Sequence, residues 1–286
     1  MAKVLFQISL LFLLFWVSNA QQKIAIFNPR NDQVGKLIAD RIEKKLSEKF
    51  SIVDQSLSKA VLSAQEFENP FNLSLTEAKN LGEAAGCNFF LLIKAEVLER
   101  TSLEKGTFKE AYTAIFFVSS KSGRLILWKF LNAEDKDEAV ALKKLFLSID
   151  EFLTRFVTEI QSLLVYDLDL QDEAKFPEFD EKSGIRPPIP YRRIKPEYPK
   201  AASLYLVRAT IDVAVDITER GEVARVEVLR WAGFELEEAV IKAIRQMNWR
   251  PAEKNGKFLA SRVLLRYNFR DIREEKQDVI SRTDYL

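Results

Sequence analysis

The chain has 286 residues, 47% of them hydrophobic, with Lys+Arg 43 against Asp+Glu 42 and a formal net charge of +1. That length and apolar share suffice for one or two buried cores, and so even a charge balance gives no electrostatic reason to expect nucleic acid as a partner. The absence of histidine and the single cysteine, Cys87, remove most hydrolase, zinc and haem designs and any intramolecular disulfide.

The chain opens "MAKVLFQISLLFLLFWVSNAQQ". Lys3 supplies a positive start, Val4 to Val17 an apolar run, and Ser18-Asn19-Ala20 a small-x-small cleavage site. A spanning helix needs about 20 apolar residues, so the shorter run is expected to be a secretory signal peptide, residues 1–20, cut after Ala20. The competing reading keeps it as an inner-membrane anchor, and membrane contact is expected only in that case. Gln21 stands where a lipoprotein would carry Cys, which argues against lipid attachment there.

Residues 21–165 read as one α/β domain. "KIAIFNP" is a buried strand ended by Pro29, and Val34, Leu37, Ile38, Arg41, Ile42 and Leu46 follow helical spacing. "FSIVD" is a second strand. Ser74 with Glu77 makes a capping box for a helix ending near Gly86. "NFFLLIKAEVL" is a third strand, with Cys87 before it as a small buried apolar residue. "EAYTAIFFVSS" and "RLILWKF" form a hairpin closing at Gly123. After Asp135 a long helix runs to about Leu164, with Ala139, Leu142, Phe146, Ile149, Leu153, Phe156 and Ile160 as its apolar stripe. The order β-α-β-α-β-β-β-α predicts a sandwich-like mixed sheet packed by helices.

"KIAIFNP…GKLIADRIEKKLSEKFSIVDQS", followed by "AKNLGEAAGCNFFLLIKAEV", resembles the envelope domain shared by the TolB N-terminal region and CsgG-like secretion lipoproteins. The resemblance implies an interaction and assembly platform without a catalytic site.

Residues 166–195 turn acidic ("YDLDLQDEAKFPEFDEKSG") and then Pro-rich and basic ("IRPPIPYRRIK"), as an interdomain linker with polyproline character would. A second domain, residues 196–270, follows. Ile211, Val213, Val215 and Ile217 alternate with Asp212, Ala214 and Asp216 on a half-buried strand; "TERG" turns at Gly221 into "EVARVEVLR". Leu236, Ala239, Val240, Ala243, Ile244 and Met247 share a helix face, Pro251 stops that helix, and "KFLASRVLLRYNF" is the last strand, with Val263, Leu265, Tyr267 and Phe269 on one face. The fold class is therefore α+β: a larger α/β domain plus a small β-β-α-β unit. The charged tail, residues 271–286, has no clear period and is expected to be disordered.

"PEYPKAA…ATIDVAVDITERGEVARVEVLRWAGFELEEAVIKAIRQMNWRPAEKNGK" is similar to the TonB C-terminal domain. The landmarks are Tyr198-Pro199 with Ala201 and Ala202, Gly221 followed by Val223, Trp249-Arg250-Pro251-Ala252 at the helix end, and Lys257-Phe258 before the last strand; Ala209 departs from the family's usual Gly. The resemblance implies that an extended peptide, a TonB-box-like segment of an outer-membrane receptor or other envelope protein, adds as a strand beside the last one. Main-chain hydrogen bonds would give affinity and alternate side chains selectivity. Carried over by position, the augmenting strand is Ser261, Arg262, Val263, Leu264, Leu265, Arg266 and Tyr267, with Lys195, Tyr198, Pro199, Trp249 and Arg250 near the partner. The other reading of Tyr198, Trp249 and Tyr267 is core packing.

Two further readings stay open at this point. A true energy transducer would need a retained anchor and a long spacer, yet residues 166–195 reach only about 100 Å fully extended. A homodimer pairing its last strands is the other. No cofactor, metal site or catalytic residue is expected: Asp212, Asp216, Glu237 and Glu238 read as solvated surface charge, and no phosphate loop, nucleophile elbow or metal-ligand spacing occurs.

Overall fold

The computed structural model describes residues 21–169, Phe176 and residues 184–270. Residues 1–20, most of residues 170–183 and residues 271–286 lie outside the described residues, and with them the expected signal peptide, most of the acidic stretch and the charged tail. The first sheet is mixed, as the predicted order required: β1 (Lys23–Phe27) lies parallel to β2 (Ser51–Ile52) and β3 (Phe89–Ser102), while β3, β4 (Gly106–Ser119) and β5 (Leu125–Asp135) are antiparallel. The strand order is β2-β1-β3-β4-β5.

Period-two alternation divides this sheet between two cores. Ile24, Ile26, Leu91, Ile93, Ile115 and Phe117 face α1 (Gln33–Leu46) and α4 (Glu138–Asp169). Ala25, Phe27, Phe90, Leu92, Phe116 and Val118 face the opposite way, onto α3 (Leu75–Ala84). Asp32 caps α1, accepting from Gly35 N at 2.6 Å, and Ser74 and Glu77 form the reciprocal capping box on α3.

Three details differ from the sequence reading. A helix not foreseen, α2 (Gln55–Ser63), starts at the Asp54 cap. Its apolar contact is brief: Leu57 is exposed, Ser58 is buried, and Val61 and Leu62 pack half-buried against the core. The third strand runs on to Ser102 and turns directly into β4, adding a long hairpin arm. On α4 the buried row is Ala141, Leu145, Ile149, Phe152, Leu153, Phe156, Val157 and Ile160, while Ala139 is exposed and Leu142 and Phe146 flank the contact. Both rows satisfy helical periodicity over the first two turns, and the sheet's position selects between them. Phe146 instead takes the Arg41 guanidinium over its ring at 5.3 Å.

The C-terminal part forms a three-stranded antiparallel sheet of order β12-β7-β8, from β7 (Ala209–Ile217), β8 (Val223–Arg230) and β12 (Ser261–Phe269). A short helix α5 (Lys200–Leu204) precedes it, and α6 (Leu236–Arg245) packs on its apolar face. The predicted single last strand breaks at Ala260. β11 (Lys257–Leu259) folds back on β10 (Ala252–Lys254) about Asn255-Gly256, both at positive φ (50° and 77°), the geometry of a type I′ hairpin. β6 (Ile189–Pro190) pairs with β9 (Trp249–Arg250). Gly221, at φ 79°, is required where it stands, since a Cβ there would meet the Trp249 carbonyl oxygen at 2.2 Å.

The two sheets share one core. The β8–α6 loop inserts Trp231 and Phe234 against Phe116 (ring centroids 5.9 and 6.5 Å), and Trp231 Nε1 donates to the Gly123 carbonyl at 3.0 Å. Asn72 reaches across to donate to the Thr210 and Trp231 carbonyls and to accept from Thr210 N, each at 2.8 Å. Glu237 holds the inserted loop from within: its carboxyl accepts from Ala232 N and from Gly233 N (2.9 Å). It is a buried group, correcting the solvated-surface reading.

Burial pushes Glu237 up to about 7, against the pull of those two backbone bonds. The folded protein therefore holds this proton more tightly than the unfolded chain. The associated stability is complete below the unfolded value and is lost as pH rises towards 7. Glu237→Gln keeps the accepting oxygen and removes the charge, so we expect it to abolish this loss. The gain at pH 8 should be up to about 3 kcal/mol in denaturant unfolding, with little change at pH 4. A variant no more stable than wild type at pH 8 would rule the account out.

Candidate functional site

The outer strand β12 is regular. Its nine residues pair with β7 without a register break, from Ser261↔Ile217 to Phe269↔Ala209, whereas the β7–β8 pairing shifts at two points. Nine residues span about 26 Å. Among the described residues no strand pairs with its other edge. Natural sheets usually blunt such an edge with bulges, proline or a covering element, because its unpaired N–H and C=O groups template further pairing. β12 carries neither proline nor bulge.

Its two faces do different work. Val263, Leu265 and Tyr267 are half-buried over the helix side of the sheet. On the other face Leu264 is 61% exposed, between Arg262 and Arg266. Arg266 pairs bidentately with Asp212 (2.6 and 2.9 Å), and Arg230 links Asp212 (3.4 Å) to Glu77 (3.0 Å) on α3.

Arg262 is buried. It donates to both Asp216 oxygens (2.7 and 2.9 Å) and to Glu227 (3.0 Å), which also takes Arg124 (2.7 Å) and Arg225 (3.2 Å). Burial alone would raise the Glu227 carboxyl, but the bonds and charges of Arg124, Arg225 and Arg262 hold it below the usual carboxylate range. Asp216, read from sequence as solvated, is 1% exposed within this cluster. The alternation that put it opposite the apolar face was right; the arginine arriving from the neighbouring strand is what made burial tolerable.

Four of the remaining candidate residues sit at the two ends of β12. Tyr198 donates its hydroxyl to the Val207 carbonyl at 2.6 Å and packs on Phe269 (5.8 Å), and Pro199 caps α5. Trp249 is buried and Arg250 half-buried on the β9 pair, whose Trp249 carbonyl abuts the turn at Gly221 beyond Ile217, the partner of Ser261. Lys195 is exposed. Glu227 and Arg124, which organise the strand's ionic face, were missed because no sequence spacing links residues on different sheets. Among the described residues no group of acidic, cysteine or histidine side chains could hold a metal ion, and no helix is long and apolar enough to cross a membrane.

The family model of the Gram-negative bacterial TonB protein C-terminal matches residues 194–270, from Ile194 before the Tyr-Pro element to Arg270 after β12. Residues 194–270 belong to the TonB C-terminal family. The family is non-enzymatic in kind, and within this TonB-family segment β12 is the last strand. Among solved structures, the TonB C-terminal domain of Pseudomonas aeruginosa is 21% identical, covering 35% of this chain and 97% of that one, with a TM-score of 0.28. Lipoprotein GNA1162 from Neisseria meningitidis is 10% identical (49% and 99% covered, TM-score 0.32). The LpoB C-terminal domain from Salmonella enterica is 12% identical (44% and 90% covered, TM-score 0.27). No curated protein sequence matches the chain.

Proposed function

We propose that this is an exported periplasmic protein whose TonB-family domain, residues 196–270, captures an extended segment of an envelope partner, a TonB-box-like stretch of an outer-membrane receptor, as a strand outside β12. The unit formed by residues 21–165 would serve as the platform that holds this edge in place. One observation carries the reading: a nine-residue, unbulged strand with no pairing partner on its outer side among the described residues. Each added main-chain bond contributes about 0.5–1.5 kcal/mol net, so several together suit a reversible contact. Leu264 would supply an apolar side-chain contact on the exposed face of the augmented sheet, and the arginine on either side of it is held by an aspartate of β7.

The test is amide exchange measured by NMR on the mature chain, titrated with ten-residue peptides from the exported N-terminal segments of the host's outer-membrane receptors. Strand addition should protect every second amide between Ser261 and Phe269, those directed outwards, and leave β8 unchanged. Protection confined to β8 or to the α1–α4 face would sink the proposal. The same edge could pair with itself across a two-fold axis, in which case protection would grow with protein concentration alone and sedimentation would show a dimer.

A further inference from the structure

A cavity of about 370 Å³ opens where the two sheets meet, lined on one side by Arg30, Phe71 and Lys94 and on the other by Leu206, Arg208 and Phe234. Lys94 projects from β3 on the face turned to the second sheet. Its ammonium stands 5.9 Å from the Phe71 ring centre and 5.5 Å from that of Phe234. Among the described residues no carboxylate pairs with it. The nearby Glu96 is already engaged by Arg30 (2.8 Å) and by the Tyr112 hydroxyl (2.9 Å). Burial, and then the neighbouring Arg30 charge, pull the Lys94 pKa below the ordinary lysine value. An ammonium ion held between rings and beside another cation lacks the anion that would normally accompany it.

Two turns place the apolar walls. Leu206 (φ 50°) closes α5, with its N–H donating to the Ser203 carbonyl (3.2 Å) and that of Val207 to the Ala202 carbonyl (2.9 Å), and Phe234 (φ 56°) lies in the turn that leads into α6. Leu206 is also 52% exposed at the rim.

We infer that this cavity is a binding site for a small carboxylate carried on an apolar or aromatic skeleton, with Lys94 as its counter-charge and the Phe71 and Phe234 rings and Leu206 as its apolar walls. The volume suits a ligand of that size. Lys94 offers a single charge set between two rings, with Arg30 already taken by Glu96, which matches a carboxylate on an apolar skeleton rather than a phosphate dianion.

The experiment is an NMR titration of the full chain with 3-phenylpropanoate, following the amides of Lys94, Leu206 and Phe234. Saturable shifts at these positions are expected, with a dissociation constant in the millimolar range. Lys94→Met should weaken binding by about tenfold or more, the loss of one charge-assisted contact, while leaving the remaining spectrum in place. Phe71→Ala, which keeps the charge, should also weaken it. Inorganic phosphate and the neutral 3-phenylpropanamide should leave these amides unmoved. Equal affinity in Lys94→Met, equal binding of the amide, or tighter binding of phosphate would each overturn the inference.

Discussion

Trp231→Ala is expected to lower the stability of the whole chain by about 3–5 kcal/mol, the cost of a large aromatic removed from a core that cannot collapse around the void. The residue is 1% exposed and stands at the seam. It packs on Phe116 of β4, donates to Gly123, and its own backbone N–H donates to the Leu73 carbonyl at 3.2 Å. Total stabilities run to about 5–15 kcal/mol, so the loss is a large fraction. The deficit should fall on the union of the two sheets rather than on either alone. The measurement is thermal unfolding followed at once by near-UV circular dichroism and by amide exchange. Wild type should unfold in one transition, whereas the variant should separate into two, with early exchange of the Thr210 amide, which donates to Asn72, and of the amide at position 231, which donates to Leu73. A variant that loses under about 1 kcal/mol, or keeps a single transition at nearly the wild-type temperature, would show that the seam contributes little.

Arg262→Met should be the next most damaging change, by about 3–5 kcal/mol, because it strands buried carboxylates rather than merely losing a bond. Asp216 loses the bidentate partner that accounts for its burial and, among the described residues, keeps Arg225 at 3.3 Å. The discriminating measurement is a double variant. Arg262→Met with Asp216→Leu removes both members of the pair and substitutes apolar volume, so it should recover most of the loss in urea unfolding. If the double variant is as unstable as the single, the damage comes from lost packing and not from uncompensated charge. Because β12 would bind through its main chain, peptide protection along the strand should survive in the double variant. That separates the strand's ionic anchorage from its proposed role in capture.

How much of this was legible in advance differs from element to element. The Ser74–Glu77 capping box, the Gly221 turn and the alternation of Ile211, Val213, Val215 and Ile217 are local signals, and each lies where the sequence placed it. The family of residues 194–270 was legible for a related reason: Tyr198-Pro199, Gly221 and Trp249-Arg250-Pro251 occupy fixed positions in order along one short segment. By contrast α2 turns only Val61 and Leu62 to the core, too short a row to read as a period, and the break at Ala260 follows from the Asn255-Gly256 hairpin capturing β11. In both cases a short-range competitor overrode the longer pattern.

The sequence by itself determined most of the longer elements, the two faces of their strands and the kind of domain at the C-terminal end, because propensity, capping and periodicity act between residues a few positions apart. Only the tertiary structure decided which charges are buried, that one core runs through both sheets, and that β12 rather than β8 presents a regular open edge. Those outcomes depend on residues far apart in the chain, Arg124 with Glu227 and Asn72 with Trp231, whose pairing has no one-dimensional spacing to read.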